Sequence, residues 1–69
     1  MSLGEKIIIL RNEKGINSLQ LSKDLNVANP IIYRLEKNIN KPSFKLIIKL
    51  CNYFNVSSDW LLGLKEERN

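Results

Sequence analysis

Residues 17–37 of this chain, NSLQLSKDLNVANPIIYRLEK, constrain its fold more tightly than any other stretch. The spacing predicts two short helices joined by a tight turn. In the first, expected over 18–25, Leu21 and Leu25 lie one turn apart on one face while Lys23 and Asp24 take the other. Ser18 is the expected N-cap. Ser22 falls on the inner side between the leucines, where a small side chain lets a second helix cross at the steep angle imposed by a three- or four-residue turn. Asn26 occupies the turn, because after Gly it most readily adopts the left-handed backbone that stops a helix. Val27 then points back inside.

The second helix is expected to start at Asn29 rather than Ala28. Asn caps and Ala does not, and a residue before proline is pushed into the extended backbone that an N-cap needs. Pro30 then takes the first helical position, where its missing N–H costs nothing. Ile32 and Leu35 share the buried face of this helix. Ile31, Tyr33, Arg34 and Lys37 are left outside.

The pattern Gly15, Ile16, Leu21, small Ser22, Leu25, Asn26, Val27, Ile32, Leu35, Glu36 resembles the helix-turn-helix of the lambda-repressor and Cro-like family. This is also called the xenobiotic-response-element family of bacterial and phage regulators. The similarity runs from about Leu3 to Leu64 and includes the ending Val56-Ser-Ser-Asp-Trp-Leu-Leu-Gly63. It implies an all-α fold: a compact five-helix lambda-repressor-like bundle with the helix-turn-helix as helices two and three.

The flanking sequence supplies the other three helices. Helix one is expected over 3–14, with Leu3, Ile7 and Leu10 on its core-facing stripe and Gly15 ending it. Ile8 and Ile9 break that pattern, either as a wider buried face packed toward the C-terminal tail or as a surface for a partner. The segment 38–42 is a loop by composition, with Asn38 in a left-handed conformation and Ile39 tucked inward. Helix four is expected from about Ser43 to Phe54, burying Phe44, Ile47, Ile48, Cys51 and Phe54, with Leu50 at the margin. Ser57 or Ser58 caps a last short helix through Leu62, closed by Gly63. Residues 65–69 are expected to fray.

At 69 residues the chain accommodates one small domain. Its hydrophobic fraction of 43% and charged fraction of 26% describe a globular protein, and no apolar run is long enough to span a bilayer. No signal-peptide pattern is present, and the resemblance implies a cytoplasmic, nucleoid-associated location in a bacterial cell. The lone Cys51 cannot form an internal disulfide and reads as a small core residue or a free thiol. With no His, one Cys and no paired carboxylates, no catalytic or metal constellation is evident, and neither an enzyme nor a cofactor is expected.

The net charge is +4, and the whole excess lies between Lys23 and Lys49, where six bases face two acids. A basic face of this kind suits a polyanion, although solvated lysines give the same count.

By the resemblance, the second helix of the motif enters the major groove of double-stranded DNA. The base-reading candidates carried over are Asn29, Pro30, Ile31, Tyr33 and Arg34. Arg34 suits guanine, Ile31 a thymine methyl, and Asn29 adenine unless its side chain serves the cap. Phosphate contacts are expected from Asn17, Ser18, Lys37, Lys41, Ser43 and Lys45. The resemblance also pairs Arg11 with Glu36, clamping helix one to helix three, where two unrelated surface charges are the alternative. Trp60, Leu61 and Leu64 are candidates for either core packing or a homodimer contact, the dimer reading a palindromic operator. The competing function is an antitoxin or antirepressor module that binds another protein through Ile8, Ile9, Leu19 and Leu46.

Overall fold

The computed structural model describes all residues from Met1 to Asn69. It contains five helices and no strand: α1 (Leu3–Glu13), α2 (Ser18–Leu25), α3 (Asn29–Glu36), α4 (Phe44–Phe54) and α5 (Ser58–Leu61). Four of them start on a side-chain cap. Ser2, Asn17, Ser43 and Ser57 each accept a hydrogen bond from the backbone N–H three residues on, and Glu5 returns the favour to Ser2 in a capping box. The cap of α2 is therefore Asn17, not Ser18, which sits at the first helical position. α3 is the exception. Its N-cap is Ala28 with no side-chain bond, and Asn29 is already helical. Proline at the second helical position eases the missing cap, because it has no N–H to satisfy, and Ala28 takes the extended backbone of an N-cap at ψ 139°.

Every helix closes the same way. A residue in the left-handed region (Gly15, Asn26, Asn38, Asn55 or Gly63) is followed by an apolar residue whose N–H reaches back five positions. The bonds are Ile16 to Arg11, Val27 to Ser22, Ile39 to Arg34, Val56 to Cys51 and Leu64 to Asp59. This is the Schellman closure, which satisfies carbonyls that the helix end leaves free. Ile16, Val27 and Val56 turn onto the core as the motif favours. Ile39 does not tuck inward as expected but stays exposed, as does Leu64.

The core gathers Ile7 and Leu10 of α1, Leu21 and Leu25 of α2, Ile32 and Leu35 of α3, and Val56, Trp60 and Leu61 at the C-terminal end. α4 contributes Leu46, Ile47, Leu50 and Phe54. This is a correction to the stripe read from its sequence: Leu50 is at the centre of the core rather than its margin, Leu46 is buried, and Phe44 and Ile48 face outward. Cys51 is half-buried against the core as a free thiol, and its burial pushes the thiol pKa up. Ser22 is buried with its hydroxyl donating to the Leu19 carbonyl at 2.7 Å, so the small residue at the α2–α3 crossing leaves no polar atom stranded.

Two further contacts fix α1. A Cβ placed on Gly4 would lie 2.4 Å from the Glu36 carbonyl oxygen, so α1 crosses the end of α3 at a distance only glycine permits. Lys6 is buried, its ammonium donating to the Trp60 carbonyl at the end of α5 and lying 4.9 Å from the Trp60 ring. The C-terminal residues, expected to fray, lie against the body. Ser57 donates its N–H to the Arg68 carbonyl, and the Arg68 guanidinium makes two 2.8 Å bonds to the Glu13 carboxylate.

Candidate nucleic-acid interface

α3 commits one face to the core and leaves the other free. Ile32 and Leu35 are buried while Pro30, Ile31, Tyr33 and Arg34 stand in solvent. Arg34 engages no acid of the protein. Lys37 leans over Tyr33, its ammonium 5.6 Å from the ring centroid, so the two present one cationic, aromatic ridge. Asn29 does not join them. Its side-chain nitrogen is enclosed with no hydrogen-bond partner, whereas a two-bond contact with adenine needs both the amide oxygen and the nitrogen free. In this conformation Asn29 neither caps the helix nor reads a base.

The direction in which this face points is fixed from behind. Arg11 Nε and Nη2 donate to the two carboxylate oxygens of Glu36 at 2.7 and 3.2 Å, joining mid-α1 to the last residue of α3. Just beyond, the Gly4 N–H donates to Asn38 Oδ1 and Asn38 Nδ2 donates to Ser2 Oγ, at 3.0 and 3.1 Å. With the close Gly4 crossing, these bonds hold the C-terminal end of α3 against α1 at three neighbouring points. The gain is orientation more than stability, because desolvation offsets much of the attraction in an enclosed pair.

Beside α3, the loop into α4 opens a cleft of about 310 Å³. Its floor includes Val27, Ile31, Leu35 and Leu46, and its rim carries Lys41, Ser43, Lys45 and Lys49. Ile31 is thus brought together with three of the expected phosphate contacts. Ser43 Oγ accepts from the Leu46 N–H but keeps its own proton to donate. Lys49 is turned inward, donating to the Leu25 carbonyl at 2.9 Å, where the partial negative end of α2 attracts a cation. No acid lines the cleft. Of the two acids in the basic segment, Glu36 is bound to Arg11, and Asp24 accepts from Tyr53 and Gln20, bonds that hold its carboxyl below the usual range. Asn17 lies elsewhere, in a shallow depression with Leu19, Gln20 and Lys23. With the Asn17 side chain satisfying Gln20, the Ser18 and Leu19 amides at the start of α2 have no internal acceptor.

The hydrophobic candidates are redistributed. Trp60 and Leu61, at 7% and 1% exposure, are core residues of the single chain and are not available to a second copy; Leu64 is exposed. Ile8 and Ile9 are half-buried, Leu19 is exposed, and Leu46 is part of the core, so Leu46 drops out of the apolar partner surface expected from the sequence. Gly4, Lys6, Asn38 and Lys49 take roles from contacts across the fold that the sequence does not display: Asn38 reads there only as a left-handed helix stop and Lys49 only as part of the basic segment. Gly4 shows there only as a glycine inside a helix.

No helix is long and apolar enough to cross a membrane. A family model described as helix-turn-helix matches residues 7–61. Over 66 residues, 96% of this chain, the sequence is 33% identical to the HTH-type transcriptional regulator ImmR of Bacillus subtilis (strain 168). The chain spans about half the length, 52%, of that regulator. The matched segment takes in the paired α2 and α3, their buried crossing and the Arg11–Glu36 clamp, and the chain belongs to the helix-turn-helix family of the lambda-repressor and Cro type.

Proposed function

We propose that this protein is a sequence-specific DNA-binding transcriptional regulator, acting as a repressor in the bacterial cytosol by binding and not by catalysis. The observation that carries the reading is the free outer face of α3, with Ile31, Tyr33 and Arg34 exposed, the helix end clamped by Arg11–Glu36, and Lys41 and Lys45 on the adjoining cleft. The face is a convex ridge of the width a major groove admits. Arg34 supplies the guanidinium fork for guanine O6 and N7, Ile31 an apolar contact for a thymine methyl, and Tyr33 a donor for a base or phosphate. Lys37, Lys41, Ser43, Lys45 and the free amides at the start of α2 bind phosphates and set the register. A helix of eight residues reads too few base pairs for a genomic address, so the protein acts as a homodimer on a palindromic operator. Its half-sites lie about 34–36 Å apart.

Selection from a randomised duplex pool gives the operator, and Arg34→Ala is then measured on it. The variant is expected to keep its helical circular dichroism and to lose about 1–3 kcal/mol of discrimination at one base pair. Lys41→Ala is expected to weaken all duplexes alike and flatten the salt dependence by about one ion. An Arg34→Ala protein that is folded and keeps both affinity and base preference would sink the reading.

A further inference from the structure

Asn38 has two roles at the end of α3, and only one of them needs an asparagine. Its backbone, at φ 59°, stops the helix in the left-handed region, and the turn it makes brings the Ile39 N–H onto the Arg34 carbonyl at 2.9 Å. Glycine takes that conformation with less strain. The side chain is occupied elsewhere. Asn38 Oδ1 accepts from the Gly4 N–H at 3.0 Å and Asn38 Nδ2 donates to Ser2 Oγ at 3.1 Å, both at the start of α1.

The start of α1 depends on that contact, because the first N–H groups of a helix have no carbonyl behind them. Ser2 Oγ accepts from the Glu5 N–H, the Lys6 N–H bonds the Ser2 carbonyl, and the N–H of buried Gly4 is left to Asn38 Oδ1. Asn38 therefore caps a helix that begins more than thirty residues before it, while its backbone closes its own. The link has little slack. Arg11 and Glu36 meet through two long side chains, whereas Asn38 reaches the backbone of Gly4 directly through one short side chain. A small rotation of α3 strains the Asn38 bond before it strains the ion pair. From Gly4 the connection runs through the Asn38 side chain and the Ile39 N–H to the Arg34 carbonyl, at the centre of the reading face.

We propose that Asn38 is a positioning residue for base recognition: by bonding Gly4 and Ser2 it fixes the roll of α3, and with it the direction in which Arg34 meets a base edge. The proposal rests on the DNA-reading role given to Arg34 above. It separates two quantities. Preference among base pairs depends on the roll of α3, whereas the phosphate contacts at the start of α2 and on the loop into α4 are carried by other elements.

Two substitutions divide the roles of Asn38. Asn38→Gly keeps the left-handed stop and removes the side chain, so relief of the backbone opposes the loss of the bonds and the variant is expected to stay folded. Asn38→Asp keeps the acceptor for Gly4, and the Ser2 hydroxyl can turn to donate to the second carboxylate oxygen. Both are measured on the selected operator, on the same duplex changed at the base pair that Arg34→Ala relaxes, and on unrelated DNA. Asn38→Gly is expected to bind unrelated DNA as wild type does, with the same salt dependence, while its preference for the operator falls about two- to tenfold, the equivalent of one hydrogen bond. Amide exchange at Gly4 in the free protein should quicken alongside. Asn38→Asp should restore both. A merely structural role would instead weaken binding to every duplex alike. That outcome overturns the assignment, as does an Asn38→Gly protein with unchanged preference or an Asn38→Asp protein that fails as Asn38→Gly does. Arg34→Ala, run beside them, shows which reading has failed: if it relaxes the operator preference, DNA reading stands without Asn38, and if it does not, both fall.

Discussion

Gly4 shows how much of the architecture can hang on an absent side chain. A methyl group there meets the backbone carbonyls of Leu35 and Glu36 at 2.8 and 2.4 Å, and backbone does not swing aside as a flexible side chain would. Gly4→Ala should therefore push α1 and the end of α3 apart, costing about 1–3 kcal/mol in a denaturant melt. It should also weaken DNA binding, although Gly4 lies behind the face that binds. A Gly4→Ala protein with wild-type stability and affinity would show that this crossing is looser than it looks. Gly4 was not legible beforehand because its constraint comes from a residue 32 positions away in the chain. Arg11 and Glu36 were legible only through resemblance, since nothing in their spacing brings them together. Asn29 misleads for a physical reason: an asparagine before a proline is the better cap by composition, yet the helix starts one residue earlier, with Asn29 already helical and Pro30, which needs no acceptor, second.

Among the elements, α2 and α3 were readable because each has few apolar residues and they fall on one face. α4 was not, because eight of its eleven residues are apolar and two adjacent stripes fit the period equally well. The stripe through Phe44 and Ile48 is rotated from the one the fold buries, which contains Leu46 and Leu50. Helix ends were easier, as each carries an asparagine or glycine in the left-handed region. Asn55, at φ 56° after α4, offers a clean measure of that device. Asn55→Ala is expected to lower stability by about 1 kcal/mol, because an ordinary side chain resists this conformation. The melting point should fall by roughly 4–8 °C. Asn55→Gly should not lower it. Equal losses in the two variants would mean that the Asn55 side chain matters more than its backbone.

For the molecule as a whole, the surplus of positive charge was located correctly from sequence, but which lysines are free was not. Lys49 was counted on the basic face and turns out to close α2. The hold on the C-terminal residues is invisible in the sequence, because Arg68 lies over the Trp60 ring at 5.2 Å and bonds Glu13, 55 positions away. Arg68 holds the Glu13 carboxyl below its ordinary value of 4.5. A carboxylate with a depressed folded pKa stabilises docking fully above its ordinary value, and that contribution is lost as pH falls through the depressed one. Trp60, the only tryptophan, should therefore change its emission below about pH 4.5, and Glu13→Gln should remove that step. An identical titration in the variant would mean that the tail is held by other groups. The five Schellman closures have a kinetic consequence. Each is completed within six consecutive residues, so a segment learns where to stop turning before it has met any distant neighbour. Such a chain begins its search for the native state with its rods already cut to length, which puts its folding among the fast helical domains, in microseconds to milliseconds.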